Sequence, residues 1–217
     1  MIKTSLKHFL EITGGIAEKL DDNMEFELFA TIDSRTANSK TFFAAFIGEN
    51  VDGHEFVAAA ITNGAPFALT SKSVPYPHVR VPDVAKALIS LAKFNRKNLP
   101  NMTVIGITGS SGKTTTKDLL AHLLTISGNT VAPAESLNNE LGVPLLLLKC
   151  NSETKYCVVE MGARHKGDIA FLAEIAVPNI GVVLGVGSAH LGEFGSIEAI
   201  AETKSELIVG LPEDRKS

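Results

Sequence analysis

Residues 102 to 120, MTVIGITGSSGKTTTKDLL, constrain the fold more than any other stretch of the chain. An unbroken apolar run, MTVIGIT, leads into small residues, then one lysine, three threonines and a leucine pair. Such a run fits a strand buried on both faces, as a parallel sheet requires. TTTKDLLAHLLTIS after it has the length and spacing of a helix, closed by Gly128 and Asn129. The residues in between make a strand-to-helix turn whose backbone can come close to a ligand, because glycine has no Cβ. Amide groups at such a helix start suit phosphate. The spacing departs from G-x-x-x-x-G-K-[ST], since position 107 is isoleucine, and Gly109-Ser110-Ser111-Gly112-Lys113-Thr114 is a shorter variant. A glycine-rich turn without a ligand has no need of the lysine and threonine that follow. The stretch predicts a nucleotide-phosphate loop over Gly109 to Thr115. Lys113 would neutralise the β- and γ-phosphates, and the hydroxyl of Thr114 or Thr115 would reach Mg2+. A kinase, an ATPase switch and an ATP-driven ligase would all use such a loop.

The rest of the second half repeats the strand-helix rhythm. YCVVEMGA (156 to 163) and NIGVVLGVG (179 to 187) are continuous apolar strands, followed by the helical patterns DIAFLAEIA and SIEAIAETKSELIVGL. The expected fold is α/β, with a parallel sheet covered on both faces. In the first half, FFAAFIG (42 to 48) and PFALTS read as strands. DGHEFVAAAITNG (52 to 64) reads as a helix capped by Asp52 and stopped at Gly64, and 84 to 97 as an amphipathic helix. NLPN (98 to 101) breaks the chain there. Two domains are expected: a small α/β domain over 1–98 and a P-loop-type parallel-sheet domain from 101 to 217. The latter would normally continue past EDRKS, so the chain is expected to be truncated.

Composition narrows the setting. A net charge of −4 over 217 residues gives no electrostatic footprint for nucleic acid or an anionic membrane. No apolar run approaches the roughly 18 residues of a membrane span, and the first residues lack a signal-peptide pattern. Two cysteines, Cys150 and Cys157, are too few for a disulfide framework and read as buried thiols. A cytoplasmic protein is expected.

Four further stretches carry chemistry. SLNNELGVP places Asn138 and Asn139 in a polar loop. VVEMGARHKGDI puts Glu160 at the end of an apolar strand, where a carboxylate is costly unless paired or metal-bound. Strand ends in open α/β sheets are where ligands sit, which favours a magnesium ligand; an ion pair with Arg164 or Lys166 is the other reading. VGSAHLGEFGS carries His190 near a third strand end, and AETKSEL carries Lys204 beside Glu202 and Glu206. Alone, Lys204 reads as part of a solvated face.

In this order, TGSSGKTTTK, NNELGVP, VVEMGARHKGDI, VGSAHLGEFGS and AETKSE closely resemble the Mur ligase family of ATP-dependent peptide-bond-forming enzymes. DSRTANSKTFFAAFIGENVDGHEFVAAAITNGA resembles the family's UDP-sugar-binding domain, so the likeness covers nearly the whole chain. Within the family it looks most like members that join D-alanyl-D-alanine to UDP-N-acetylmuramoyl-tripeptide. The resemblance implies ATP, two Mg2+ ions and an acyl-phosphate intermediate. It implies Thr114 or Thr115 and Glu160 on the first ion, His190 on the second, and Lys204 as a lysine carbamylated by CO2. Catalytic work would fall to Lys113, Glu160, His190 and Lys204. Ser34 and Arg35, with Asp52, Gly53 and His54, become candidates for the sugar nucleotide; otherwise Asp52 only caps a helix and Arg35 only pairs with an acid. Asn138 and Asn139 would contact substrate or order the loop. Gly185 stands where the family often has asparagine. The family's C-terminal amine-binding domain has no counterpart in the sequence, and the family favours a monomer.

Overall fold

The structure is a computed structural model that describes residues 1–48, 51–133, 137–187 and 191–212, with the side chains of Leu191 and Glu193 excepted. The chain divides into two compact units, Met1–Asn95 and Arg96–Ser217.

The first unit comprises β1 (Thr4–Ser5), α1 (Leu6–Thr13), β2 (Ile16–Glu18), β3 (Glu25–Phe26), β4 (Phe29–Thr31), β5 (Thr41–Ala44), α2 (Val57–Thr62), β6 (Ala68–Thr70), β7 (His78–Arg80) and α3 (Val84–Lys97), whose last residues pass into the second unit. Its main sheet has the order β2-β7-β6-β5-β4. β4 to β7 pair in parallel, and β2 closes one edge antiparallel. The core gathers phenylalanines from helix and sheet. Phe9 of α1 meets Phe26, Phe42 and Phe67 edge-on, with ring centroids 5.5 to 5.6 Å apart. Such contacts add about 0.5–1.5 kcal/mol per pair beyond burial.

Two sequence expectations change here. The strand expected over 42–48 ends at Ala44, and the single helix expected over 52–64 is a 3-10 turn, Gly53–Phe56, followed by α2. One close approach accounts for both. The Gly53 amide donates to the Phe46 carbonyl at 2.6 Å, so the chain leaves the sheet to meet it. A Cβ on Gly53 would lie 2.6 Å from that oxygen, so only glycine fits.

The second unit runs β8 (Thr103–Thr108), α4 (Lys113–Thr125), β9 (Thr130–Val131), α5 (Gly142–Leu148), β10 (Tyr156–Glu160), α6 (Asp168–Ala176), β11 (Ile180–Val183), α7 (Leu191–Phe194) and α8 (Ile197–Val209). Its sheet is parallel throughout, in the order β11-β8-β10-β9. Alternation along β8 assigns the faces. Ile105 and Ile107 join Val158 under Leu120 and Leu124 of α4. Gly106 faces the other way, towards Leu207 of α8. Gly106 and Gly181 are register partners on β8 and β11, and a Cβ on either would press on Leu207. This two-glycine flat lets α8 lie close to the sheet. Arg96 secures the unit's start: its guanidinium donates to the carbonyls of Leu99, Ala176 and Val177 and to Asn179 Oδ1. β11, expected to be buried on both faces, is instead an edge strand with Ile180 49% and Val183 37% exposed. Besides its partner β8, α8 is the element that packs closely against it among the described residues.

Candidate active site

Parallel register places Glu160 of β10 beside Ile107 of β8, so both strands end at the same sheet edge. The phosphate-loop sequence leaves that edge. Gly112 takes the left-handed conformation (φ 80°) and α4 begins at Lys113, as the spacing predicts. The loop is tied down on one side. The Ser110 amide donates to Gly185 O at 3.0 Å, and the Gly187 amide donates to Ser110 Oγ at 2.8 Å. The Gly185 contact runs through its backbone. Lys113 Nζ donates to Gly109 O at 2.9 Å, folding the ammonium back over the loop.

Glu160 is 1% exposed, and both carboxylate oxygens are engaged by neutral donors. The Thr114 hydroxyl donates to Oε2 at 3.0 Å and Asn138 Nδ2 to Oε1 at 2.9 Å. Among the described residues the ion pair with Arg164 or Lys166 is not formed: Lys166 pairs with Glu202 at 2.8 Å, and the Arg164 guanidinium makes no contact with Glu160. Of the two candidate threonines, Thr114 is the one that bonds Glu160. A threonine hydroxyl and a carboxylate oxygen 3.0 Å apart are hard oxygen donors of the kind Mg2+ takes alongside substrate phosphates. These residues therefore fit one magnesium ion. Among the described residues, no group of three His, Cys, Asp or Glu side chains could hold a metal by itself.

Lys204 departs most from its solvated-face reading. It is 6% exposed, on α8, the helix whose Leu207 seats on the glycine flat. Burial first, and the Lys113 charge second, hold its ammonium below the usual lysine range. The flanking acids turn elsewhere. Glu202 goes to Lys166, and Glu206 accepts from the Gly167 and Ala170 amides at the start of α6. A cavity of about 610 Å³ is lined by Gly109, Lys113, Asn138, Asn139 and Lys204, joined by Glu140, Arg164, His165 and Phe171. Asn139 also orders its loop, since its Oδ1 accepts from the Gly142 amide at 2.9 Å and so starts α5. Glu140, Arg164 and His165 lie within NNELGVP and VVEMGARHKGDI, but nothing in the sequence pattern singles them out for binding. Nor does that pattern mark Lys117, whose fully buried ammonium donates to Pro133 O at 2.7 Å and faces Asp118 at 2.9 Å. Ser111 and Thr115 are exposed beside the loop. His190 lies outside the described residues.

In the first unit, the Arg35 guanidinium grips the Asp33 carboxylate through Nε and Nη2, at 2.7 to 3.1 Å. That contact holds Asp33 down to about 2. Ser34 is buried, and its carbonyl accepts from Asn63 at the end of α2. Asp52 Oδ1 accepts the His54 amide at 3.0 Å and meets His54 Nδ1 at 2.6 Å, while Lys72 Nζ reaches Oδ2 at 2.6 Å. The Ser71 amide donates to His54 Nε2 at 3.0 Å, so the ring proton sits on Nδ1 and goes to Asp52. Lys72 belongs to this cluster and was not foreseen. Asp52 capping and Arg35 pairing with an acid are thus both present.

Comparison with known proteins bears on this arrangement. The family model for the Mur ligase middle domain matches residues 107–217, and the one described as Mur ligase family, catalytic domain, matches residues 28–101. The chain belongs to the Mur ligase family. It is 42% identical to the UDP-N-acetylmuramoyl-tripeptide–D-alanyl-D-alanine ligase of Mycobacterium tuberculosis over 98% of this chain and 47% of that protein. It superposes on the UDP-N-acetylmuramoylalanyl-D-glutamyl-2,6-diaminopimelate–D-alanyl-D-alanyl ligase of Acinetobacter baumannii with a TM-score of 0.83, 34% identity and coverage of 97% and 47%. The Thermotoga maritima MurF ligase in complex with ADP gives a TM-score of 0.74, with 38% identity over 86% of this chain and 44% of that one. The chain thus spans about half the length of the Mur ligases it matches. Among the described residues, no helix is long and apolar enough to cross a membrane.

Proposed function

We propose that the protein is a cytoplasmic ATP-dependent amide ligase of peptidoglycan precursor synthesis, joining D-alanyl-D-alanine to UDP-N-acetylmuramoyl-tripeptide. The observation that carries the reading is the buried Glu160 carboxylate, fixed by Thr114 and Asn138 beside the phosphate loop. Lys113 and Lys204 line the cavity there. A carboxylate oxygen of the tripeptide attacks the γ-phosphorus, the bond to the β-phosphate oxygen breaks, and ADP leaves. The amine of the dipeptide then attacks the acyl phosphate, the tetrahedral intermediate loses a proton, and inorganic phosphate departs.

The chemical difficulty is crowded negative charge, and cationic groups fixed in advance answer it. Loop amides and Lys113 hold the ATP phosphates, with Gly109 to Thr115 supplying the cradle. Glu160 keeps the Thr114 hydroxyl turned to the same spot. Mg2+ held by Thr114 and Glu160 supplies charge neutralisation when bound. His190 and Lys204 would serve a second ion, with Lys204 as its CO2 carbamate. An ammonium would repel Mg2+, whereas a carbamate offers oxygen, and small carboxylates should rescue a Lys204→Ala variant. The first unit would bind the sugar nucleotide through Ser34, Arg35, Asp52, Gly53 and His54. The test is phosphate release by the full-length gene product given ATP, Mg2+ and UDP-N-acetylmuramoyl-tripeptide. Release that depends on D-alanyl-D-alanine supports the ligase, and release indifferent to the dipeptide sinks the substrate assignment.

A further inference from the structure

We propose that Arg164 and Glu140 read the far end of the acyl substrate's side chain, selecting a diamino dicarboxylic acid over a diamino monocarboxylic acid. The inference rests on the ligase reading and names the substrate class of that same site. In that reaction the activated carboxylate belongs to the tripeptide's third residue itself. A side chain of four carbon–carbon bonds carries its terminal groups only about 5 Å from the reacting residue's Cα. Those groups therefore lie in the cavity that holds Lys113 and Lys204.

Two charges on that cavity's wall have no partner among the described residues and no assigned part in the reaction. The Arg164 guanidinium and the Glu140 carboxylate make no hydrogen bond or ion pair among the described residues, although both line the cavity. Of the other ionic groups nearby, Asp168 and Lys113 are engaged, and Lys204 is already assigned to the reaction centre. Asp168 Oδ2 accepts the Arg164 and His165 amides at 2.8 Å each, and its carboxylate stands 3.9 Å from the His165 ring. Lys113 lies on Gly109 O.

The two free charges also sit on backbone that is fixed together. The Gly162 amide donates to Asn138 O at 2.9 Å, joining the two loops, and each charge lies two residues beyond that bond. The Arg164 end is held by Asp168, and the Glu140 end by Asn139, whose Oδ1 accepts the Gly142 amide. A carbon bearing an ammonium and a carboxylate offers one charge to each. The planar guanidinium takes the carboxylate through two parallel hydrogen bonds, a geometry that an ammonium cannot copy. A side chain ending in an ammonium alone leaves Arg164 unmatched, and sites built around a polar group reject analogues that lack it.

The test uses the full-length gene product and two UDP-N-acetylmuramoyl-tripeptides, one ending in 2,6-diaminopimelate and one in lysine. Dipeptide-dependent phosphate release is measured for wild type, Arg164→Met, Arg164→Lys and Glu140→Gln. Wild type should favour the dicarboxylate by about 100-fold in kcat/KM. Arg164→Met should shrink that ratio at least tenfold through KM for the tripeptide, with KM for ATP within about twofold of wild type. Arg164→Lys should recover only part of the ratio. Glu140→Gln should weaken both tripeptides together, since both carry the ammonium. A wild-type enzyme without preference, or an Arg164→Met enzyme slowed equally on both substrates, overturns the assignment and leaves the ligase standing. Should neither tripeptide support release, the ligase reading falls and takes this inference with it.

Discussion

Glu160 shows how much one residue's surroundings decide. A carboxylate with 1% exposure usually needs a cation, yet here a hydroxyl and an amide fill both oxygens. That arrangement holds an anion ready for a metal without committing a lysine or arginine to it. Glu160→Gln removes the charge and sets an amide against one of the two donors. Phosphate release should fall by about 100-fold or more, while the thermal melt drops by only a few degrees. Retained turnover would remove Glu160 from the chemistry. Both the loop and Glu160 were legible in the sequence, because a lysine after glycine and an acid ending an apolar run are each out of place without a ligand. Lys204 was not: its burial follows from where α8 packs, and Gly106 and Gly181, which meet Leu207 of that helix, lie far away along the chain. In the first unit, Arg35 lowers Asp33 to about 2, so the pair's stabilising contribution is complete above the ordinary value near 3.8. It disappears as the pH falls towards 2. Carboxyl carbon NMR should find the Asp33 midpoint near 2, and Arg35→Gln should raise it towards about 3.9. A midpoint unmoved by that change would mean Arg35 does not hold the acid.

Among the elements, α8 carries the site's second lysine, and its seat is set by what the sheet lacks. Gly181 faces Ile208 and Leu207, and an added Cβ would come within 3.1 and 3.2 Å of them. A branched side chain there cannot be absorbed without moving the helix. Gly181→Val should therefore cost about 1–3 kcal/mol of stability and also weaken ATP-dependent turnover, because Lys204 moves with α8. Loss of stability with unchanged kinetics in the folded fraction would show that Lys204 does not need this seat. The long periodic elements were readable in advance: β8, α4, β10, α6 and α8 lie where apolar runs and 3.6-residue spacing put them. The short ones were not. β1, β2, β3, β7 and β9 are two or three residues long, too brief for alternation to register. The 3-10 turn at Gly53 depends on Phe46, a contact that no local propensity encodes.

At the scale of the molecule, the second unit's sheet ends differently on its two sides. β9 is only two residues long, and a strand that short offers little to another chain. β11 is apolar along its length, and Ile180, Val183, Leu184 and Val186 in and after it are 37 to 49% exposed. No charge, proline or bulge in IGVV blunts this edge, and those are the devices by which sheets avoid pairing with one another. The side of β11 that no strand pairs among the described residues, with its apolar side chains, is thus a template for a second copy of this 217-residue chain. Light scattering should find the chain associating as concentration rises from micromolar to submillimolar. Val183→Lys places a charge on the edge without touching the phosphate loop. It should return the chain to the mass of one copy with its far-ultraviolet circular dichroism and its nucleotide affinity unchanged. A wild-type chain that stays at one copy throughout that range would show the edge to be inert despite its exposure. A Val183→Lys chain that still associates would place the contact on some other surface.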